Sequence, residues 1–500
     1  MEPDRPRAGV AARFPALFPA AGVLASAALA SHAAFLPIPP LALLAAAGLA
    51  LRGAAGGLIA GLGAGLLAAA VQLDLPGDPW RHLDPARPVE ATGLVAAYGR
   101  RTEWGWRTTL RVERMVQGPW ISSFARDLLV ELPEGEPPPP LGSRITARGY
   151  AGRSPGYANR QPVPPGPWRL RVKSRRLLAV EAGPGALARA AAALRGVVEA
   201  AWERAARANG RGAAGERRPG PALVRALVLG DPSGLPPAWL RGLRRTGLSH
   251  LLAVSGLHVG MVAAIAFLAA TRLGPRGRLL AVLAAVLLYL PIAGPRPALL
   301  RAAFMALAAG AAYLAGRLPS AGNALALAAA LLVVVRPELV ADLGFGLTVT
   351  ATAGLVFLAP VLARAWGGGA ERRGALAAPL AWVRNGLAAT IAAQLASAPL
   401  ALPAFHLLAP ASPLLNLVAV PWTAVALAIG LLWSATAVAV PAIATAAVPV
   451  LDWMAAPYSW PALGPPQAWG TVALAAFPMP CTLTAAAIAC VLVRPHQLAA

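Results

Sequence analysis

Arg278-Leu-Leu-Ala-Val-Leu-Ala-Ala-Val-Leu-Leu-Tyr-Leu-Pro-Ile-Ala-Gly294 carries a single charge, at its first residue. Crossing the hydrocarbon core of a bilayer takes about 20 apolar residues, and comparable runs recur on both sides of this one. After residue 220 the spacing predicts spans near 251–271, 278–294, 298–316, 320–336, 342–363, 376–402, 411–434, 436–452 and 469–493. Composition agrees. Of 500 residues, 57% are hydrophobic and 13% charged, against about 25% charged in soluble domains. A soluble enzyme and a disordered chain are both excluded. The fold class expected is mainly α: a polytopic helical membrane protein.

Upstream, a basic leader (Arg5, Arg7, Arg13) precedes three apolar blocks, near 14–30, 36–51 and 54–73. Two further blocks follow the first at once, so a signal peptide loses to a membrane anchor. Basic residues before the first block favour a cytoplasmic N-terminus, and Arg272/Arg276/Arg278 and Arg364/Arg372/Arg373 then also fall inside. Much of the net charge of +23, from 44 Lys plus Arg against 21 Asp plus Glu, therefore sets topology. The two cysteines, Cys481 and Cys490, fall on opposite faces of the last run, and no disulfide is expected.

Residues 74–181 differ in kind. Between Asp74 and Val180 there are 17 Arg or Lys against 10 Asp or Glu, a net of +7. Trp106, Thr108, Leu110, Val112, Arg114 and Val116 alternate with Arg107, Thr109, Arg111, Glu113 and Met115, the period of a half-buried strand. Further short strands are expected at 89–98, 127–132, 143–150 and 168–180, which suggests a small inserted β-barrel, OB-like, on the extracytoplasmic side. Tyr98, Arg100, Arg101, Trp104, Arg107 and Arg111 combine rings with cations, the chemistry of single-strand binding, although Trp106 itself lies on the apolar face. Residues 182–220 are expected to hold an amphipathic helix, lying in the membrane interface or packed on the barrel. Residues 221–500 form the main membrane domain.

Polar residues inside membrane runs usually pair or line a cavity. The densest set is Gly247-Leu-Ser-His-Leu-Leu-Ala-Val-Ser-Gly-Leu-His258. On an ideal helix His250 and His258 diverge by about 80°, so both can face one hollow. A proton relay or metal pair, a Ser255 nucleophile with a histidine base, and a polar lining opened by Gly256 all compete. No third ligand or His-x-His favours a metal, and the nucleophile elbow Gly-x-Ser-x-Gly is missing. Asp231 sits at the edge of the membrane region and needs an arginine partner or a gating role. Arg301 lies four residues into a span. Asp342 can pair with Arg301 or cap its own helix. Asn416 precedes Pro421, where a kink is expected.

These residues carry a resemblance. His250-Leu-Leu-Ala-Val-Ser-Gly-Leu-His-Val-Gly260 resembles the signature of the ComEC family of bacterial competence channels, with Leu229-Gly-Asp231, Arg301-Ala-Ala-Phe-Met305 and Asn416-Leu-Val-Ala-Val-Pro421 similar to its other elements in order and spacing. The resemblance implies a channel in the bacterial cytoplasmic membrane that admits single-stranded DNA during transformation. In that reading His250, Ser255, Gly256, His258, Arg301, Asn416 and Pro421 line the pore and Asp231 marks an entrance. The chain is expected to be a form without the metallo-β-lactamase-like domain of many members, and so not an enzyme. Phe345-Gly-Leu-Thr348 departs from the family's Phe-Gln-Leu-Ser. No cofactor is expected, and without a Gly-x-x-x-x-Gly-Lys-Ser/Thr loop a separate cytoplasmic motor must pull the strand. DNA-receptor or nuclease proteins and membrane lipid complete the expected partners; oligomeric state is left open. An intramembrane Ser/His hydrolase and a secondary transporter of a small anion are the alternatives.

Overall fold

The computed structural model describes residues 83–463, apart from 103–104, 136, 156–164, 209–217, 317–319, 337–338, 340–341, 369–376, 406 and 447, together with residues 472–473. The three expected N-terminal spans, Trp104, both cysteines and all but two residues of the run 469–493 lie outside the described residues.

Seven strands make the N-terminal unit: β1 (Pro88–Val95), β2 (Arg100–Thr102), β3 (Gly105–Gln117), β4 (Trp120–Leu132), β5 (Arg144–Pro155), β6 (Pro165–Arg171) and β7 (Leu178–Ala182). Five of them close on themselves in the order β1-β3-β4-β6-β5, with β5 pairing back onto β1. Every ladder of this ring is antiparallel except β4 with β6. Closure leaves no long edge to template aggregation. Val89, Ala91, Leu110, Val112, Met115, Leu128, Val130, Ile145 and Leu170 fill the interior with no exposed surface.

Two details correct the sequence reading. The pattern places Arg114 and Val116 inward and Met115 outward. A bulge between Val112 and Arg114 reverses this, so Arg114 is exposed, Met115 is buried and Gln117 plugs the barrel end. Gln117 Nε2 donates to the carbonyls of Asp84 and Arg87 at 2.9 and 3.0 Å. The strand expected at 168–180 is two strands, β6 and β7, because Ser174 caps a short turn, Arg175–Leu177, between them.

The rest is helical: α1 (Ala186–Ala208), α2 (Gly220–Leu229), α3 (Pro237–Arg245), α4 (Ser249–Leu252), α5 (Gly256–Ala269), α6 (Pro275–Ala293), α7 (Pro297–Leu314), α8 (Ala321–Val335), α9 (Leu343–Ala353), α10 (Ala359–Ala363), α11 (Ala377–Phe405), α12 (Ser412–Ala439), α13 (Ile443–Ala446) and α14 (Val448–Leu463). Among the described residues, five segments are long and apolar enough to cross a membrane: α6, α7, Leu343–Gly367, Ala377–Leu402 and α12. Large apolar side chains on them, such as Leu288 and Leu432, point away from the protein. Close helix contact relies on small residues. A Cβ on Gly354 would come within 2.5 Å of the Ala392 carbonyl.

Two expected spans break. The run 251–271 is the single turn α4, an extended stretch at Ala253 and Ser255, and then α5. The 14 residues of α5 reach about 21 Å, short of the roughly 30 Å hydrocarbon core. The run 436–452 also fails as a span. α12 stops at Ala439, and Val440 is extended, as a residue before proline prefers. The helix expected at 182–220 is α1, which lies between the barrel and the helical domain: Arg195 sits over the Tyr98 ring and Ala188 beside Gly142. Val198, Ala201, Trp202 and Ala205 enter the core of the helical domain, and Trp202 stacks on Trp433 with centroids 4.0 Å apart.

Candidate functional site: a broken helix and a buried arginine

The break between α4 and α5 organises the polar residues. Gly247 adopts φ +75°, a conformation that glycine tolerates best. A Cβ there would lie 2.9 Å from Ser412 Oγ at the start of α12. The same hydroxyl accepts from Asn416 Nδ2 at 3.3 Å, and Asn416 Oδ1 is buried without a partner. On the other side, His250 Nδ1 donates to the Gly247 carbonyl at 2.8 Å. Asn416, Ser412, Gly247 and His250 thus form one polar line from α12 to α4.

His258 is completely buried. Its Nδ1 accepts from the Ser255 backbone N–H at 3.3 Å, and its Nε2 has no partner. A neutral ring accepting through Nδ1 carries its proton on Nε2, so the two histidines hold opposite tautomers. The imidazole meets the amide of Ser255 rather than its hydroxyl, a capping contact that gives the serine no general base. The two rings also do not share one helix, since the chain breaks between them.

Arg301, on α7, is 4% exposed. Its Nη1 donates to the Thr348 carbonyl and to Thr352 Oγ1, both on α9. Nε has no partner, and Nη2 lies 3.2 Å from where a Cβ of Gly256 would sit. No carboxylate lies within ion-pair distance among the described residues. Asp342 instead accepts from the Phe345 N–H at 2.6 Å and caps α9. The Phe345-Gly-Leu-Thr348 segment is therefore the seat of Arg301. A contact through a main-chain carbonyl is indifferent to the side chain at that position.

Asp231, just past the end of α2, finds its arginine on that helix: Arg225 Nη2 donates to Oδ2 at 2.8 Å. The turn beside it is held by Arg296, which donates to the Gly230 carbonyl at 2.7 Å, and by Tyr289, whose hydroxyl donates to the Val228 carbonyl at 3.0 Å. Pro421 lies within the unbroken α12 and is exposed, away from this set.

The barrel docks on the turn between α6 and α7. Tyr98 donates to the Pro291 carbonyl at 2.9 Å, Arg195 lies 4.2 Å above its ring, and Arg195 Nη1 donates to the Ile292 carbonyl. Arg336, capping α8, pairs with Asp127 on β4 at 2.7 Å. The ring and hydroxyl of Tyr98 are both taken up in this joint. Arg100 is exposed on β2, within reach of the charges of Asp231, Arg195 and Arg107. Burial, then Arg100 and Arg195, brings Arg296 down to about 9. Three cations crowd around one paired acid here. Arg101 is exposed on β2 beside them, Arg107 is engaged by Glu131 at 2.8 Å, and Arg111 is half-buried on β3. Trp106 packs against the barrel core. Sequence reasoning missed Arg195, Arg225, Arg296 and Ser412; arginines at 195 and 296 in the flanks of apolar runs were the available signal.

Among the described residues, five apolar helices, a broken helix packed against three of them (α6, α7 and α12) and a buried cation without a counter-charge define a multi-pass membrane protein with an interior polar site. The sequence profile of the Competence protein family matches residues 227–498, more than half of the chain, and the chain belongs to that family. It shares 33% identity over 142 residues with ComE operon protein 3 of Bacillus subtilis (strain 168), a stretch covering 27% of this chain and 18% of that protein. No solved structure matches the chain. The family match takes in Asp231, the α4–α5 break, Arg301 and Asn416, and leaves out the barrel.

Proposed function

We propose that the chain is the channel through which single-stranded DNA crosses the cytoplasmic membrane in natural transformation. The observation that carries this reading is Arg301: a buried guanidinium, with neutral partners only, inside a helical domain of the competence family. Burying a charge without a counter-charge is costly, and intramembrane charges mark ion and substrate paths. A polyanion supplies the missing charge. His250, Ser255, Gly256, His258 and Asn416 are the proposed companions of Arg301 along the path, with Asp231 at its entrance; Pro421, expected there from the sequence, is left out because it is exposed.

The barrel is read as an OB-like, extracytoplasmic domain that receives DNA before entry. Its support is the closed five-strand ring with one parallel pair and the exposed Arg100 and Arg101 at the joint. Arg107, Arg111 and Trp104 complete the proposed DNA-facing set, while Tyr98 holds the barrel in the joint. With the N-terminus cytoplasmic, a motor on that side pulls the strand, and receptor or nuclease proteins deliver it. The test is uptake of labelled DNA by cells carrying His258→Ala or Arg301→Ala, with membrane insertion measured in parallel. Uptake should collapse in both; wild-type uptake by both inserted variants, where this protein is the sole route, rejects the channel.

A further inference from the structure

The free edge of Arg301 has a more specific meaning. We propose that the Nε/Nη2 edge of Arg301 and the first turn of α5 together form a binding site for one phosphate oxyanion, carried by a phosphodiester of the passing strand. That carrier rests on the channel reading; the oxyanion site does not.

A guanidinium offers its donors along edges, and a pair of parallel N–H groups matches two oxygens of a phosphate. In Arg301 the Nη1 donors are spent on Thr348 and Thr352. Nε is buried without a partner, and Nη2 shares its edge. That edge is not used by Thr348 or Thr352. It lies beside the start of a 14-residue helix, since Nη2 is 3.2 Å from the position a Gly256 Cβ would occupy.

That end of α5 is itself positive. The His258 and Val259 N–H groups are taken by the Ser255 carbonyl, and Ser255 caps the helix; the Gly256 and Leu257 N–H groups remain at the end of the helix, and the macrodipole adds a partial positive charge there. Two features of like sign thus face each other in a buried place. The acids that might have relieved this are taken, Asp342 by the Phe345 amide and Asp231 by Arg225. A single tetrahedral anion satisfies that arginine edge, the two remaining amides and the dipole together. Gly256 keeps the approach open. Any side chain there would press on Nη2.

The test uses the full chain in a maltoside detergent, which contains no phosphate. Inorganic phosphate is titrated at constant ionic strength, with chloride as the control, and thermal unfolding is followed. Wild type should be stabilised by phosphate. Arg301→Lys keeps the charge but loses the fork, and Gly256→Ala narrows the approach; each should weaken phosphate binding roughly tenfold or more, the worth of one charge-assisted hydrogen bond. Undiminished phosphate affinity in both variants, each folded as wild type, overturns the site. A second arm compares oligothymidylate with its uncharged methylphosphonate analogue. Preference for the phosphodiester that disappears in Arg301→Lys supports DNA as the carrier. If phosphate binds through Arg301 while the two oligomers bind alike, the oxyanion site stands and DNA is rejected as its carrier; phosphatidylglycerol nanodiscs then test a lipid headgroup.

Discussion

The barrel and the α7–α9 contact of the helical domain treat arginine in opposite ways. In the barrel, Glu131 alone gathers Arg107, Arg169 and Arg171 at 2.8, 3.4 and 3.5 Å, and Arg144 and Arg148 pair with Glu113 and Glu90. Each of these arginines has water on one side and a carboxylate on the other. In the helical domain Arg301 has neither. A fold seeking stability alone would place an apolar residue there, because replacing buried charge by a well-packed hydrophobe is often neutral or stabilising. The contrast separates arginines that serve a fold from one that serves a ligand.

Four substitutions probe that contrast, from the largest effect to the smallest. Leu110 is fully buried in the barrel, and Leu110→Ala should remove about 2–5 kcal/mol from it. Pulse proteolysis of the barrel measures this, and phosphate binding at Arg301 should not change. If it does, the two regions are not independent. Asp231→Asn leaves Arg225 without its carboxylate, at a cost of about 1–3 kcal/mol. A double-mutant cycle with Arg225→Gln in thermal unfolding should recover most of that cost; simple additivity would mean that the pair is not coupled.

Tyr98→Phe removes the hydrogen bond to Pro291, worth about 1 kcal/mol. Hydrogen exchange across 291–296 should quicken while the barrel strands stay protected. Unchanged exchange there would mean that the joint does not depend on this contact.

The smallest effect is the pH response of Glu131. Burial alone raises its pKa, but the Arg107 hydrogen bond and the charges of Arg169, Arg107 and Arg171 outweigh burial and hold it below the usual range. A carboxylate lowered on folding stabilises above its unfolded value, about 4.3, and that contribution fades as pH falls through the lowered folded value. Barrel stability in wild type should therefore drop in acid more steeply than in Glu131→Gln, and parallel curves would deny the network a role.

Much of this was legible in the chain. The runs at 278–294, 298–316 and 376–402 became helices within a few residues of their expected ends, because twenty apolar residues have few other uses. Period-two alternation found β3 but not its bulge, since the extra residue opposite Thr92 and Gly93 of β1 leaves no mark on β3 alone. The break at 253–255 was foreshadowed by Gly256, yet its consequence, a helix start aimed at Arg301, depends on a neighbour 45 residues away in the numbering. The seat of Arg301 was hidden for a simpler reason. Its main partner is the carbonyl of Thr348, and main-chain atoms have no signature in sequence. The i,i+4 spacing of Arg195 and Glu199 is that of a surface pair on a helix. That pair exists at 2.8 Å, but the arginine is buried beneath the barrel.

The central claim is that Arg301 is kept for an anion and not for the fold. Arg301→Met tests it when thermal unfolding and DNA uptake per inserted molecule are measured together on the same variant. The account predicts stability equal to or above wild type, with uptake reduced roughly tenfold to a hundredfold. Wild-type uptake by a stably folded Arg301→Met protein would contradict it.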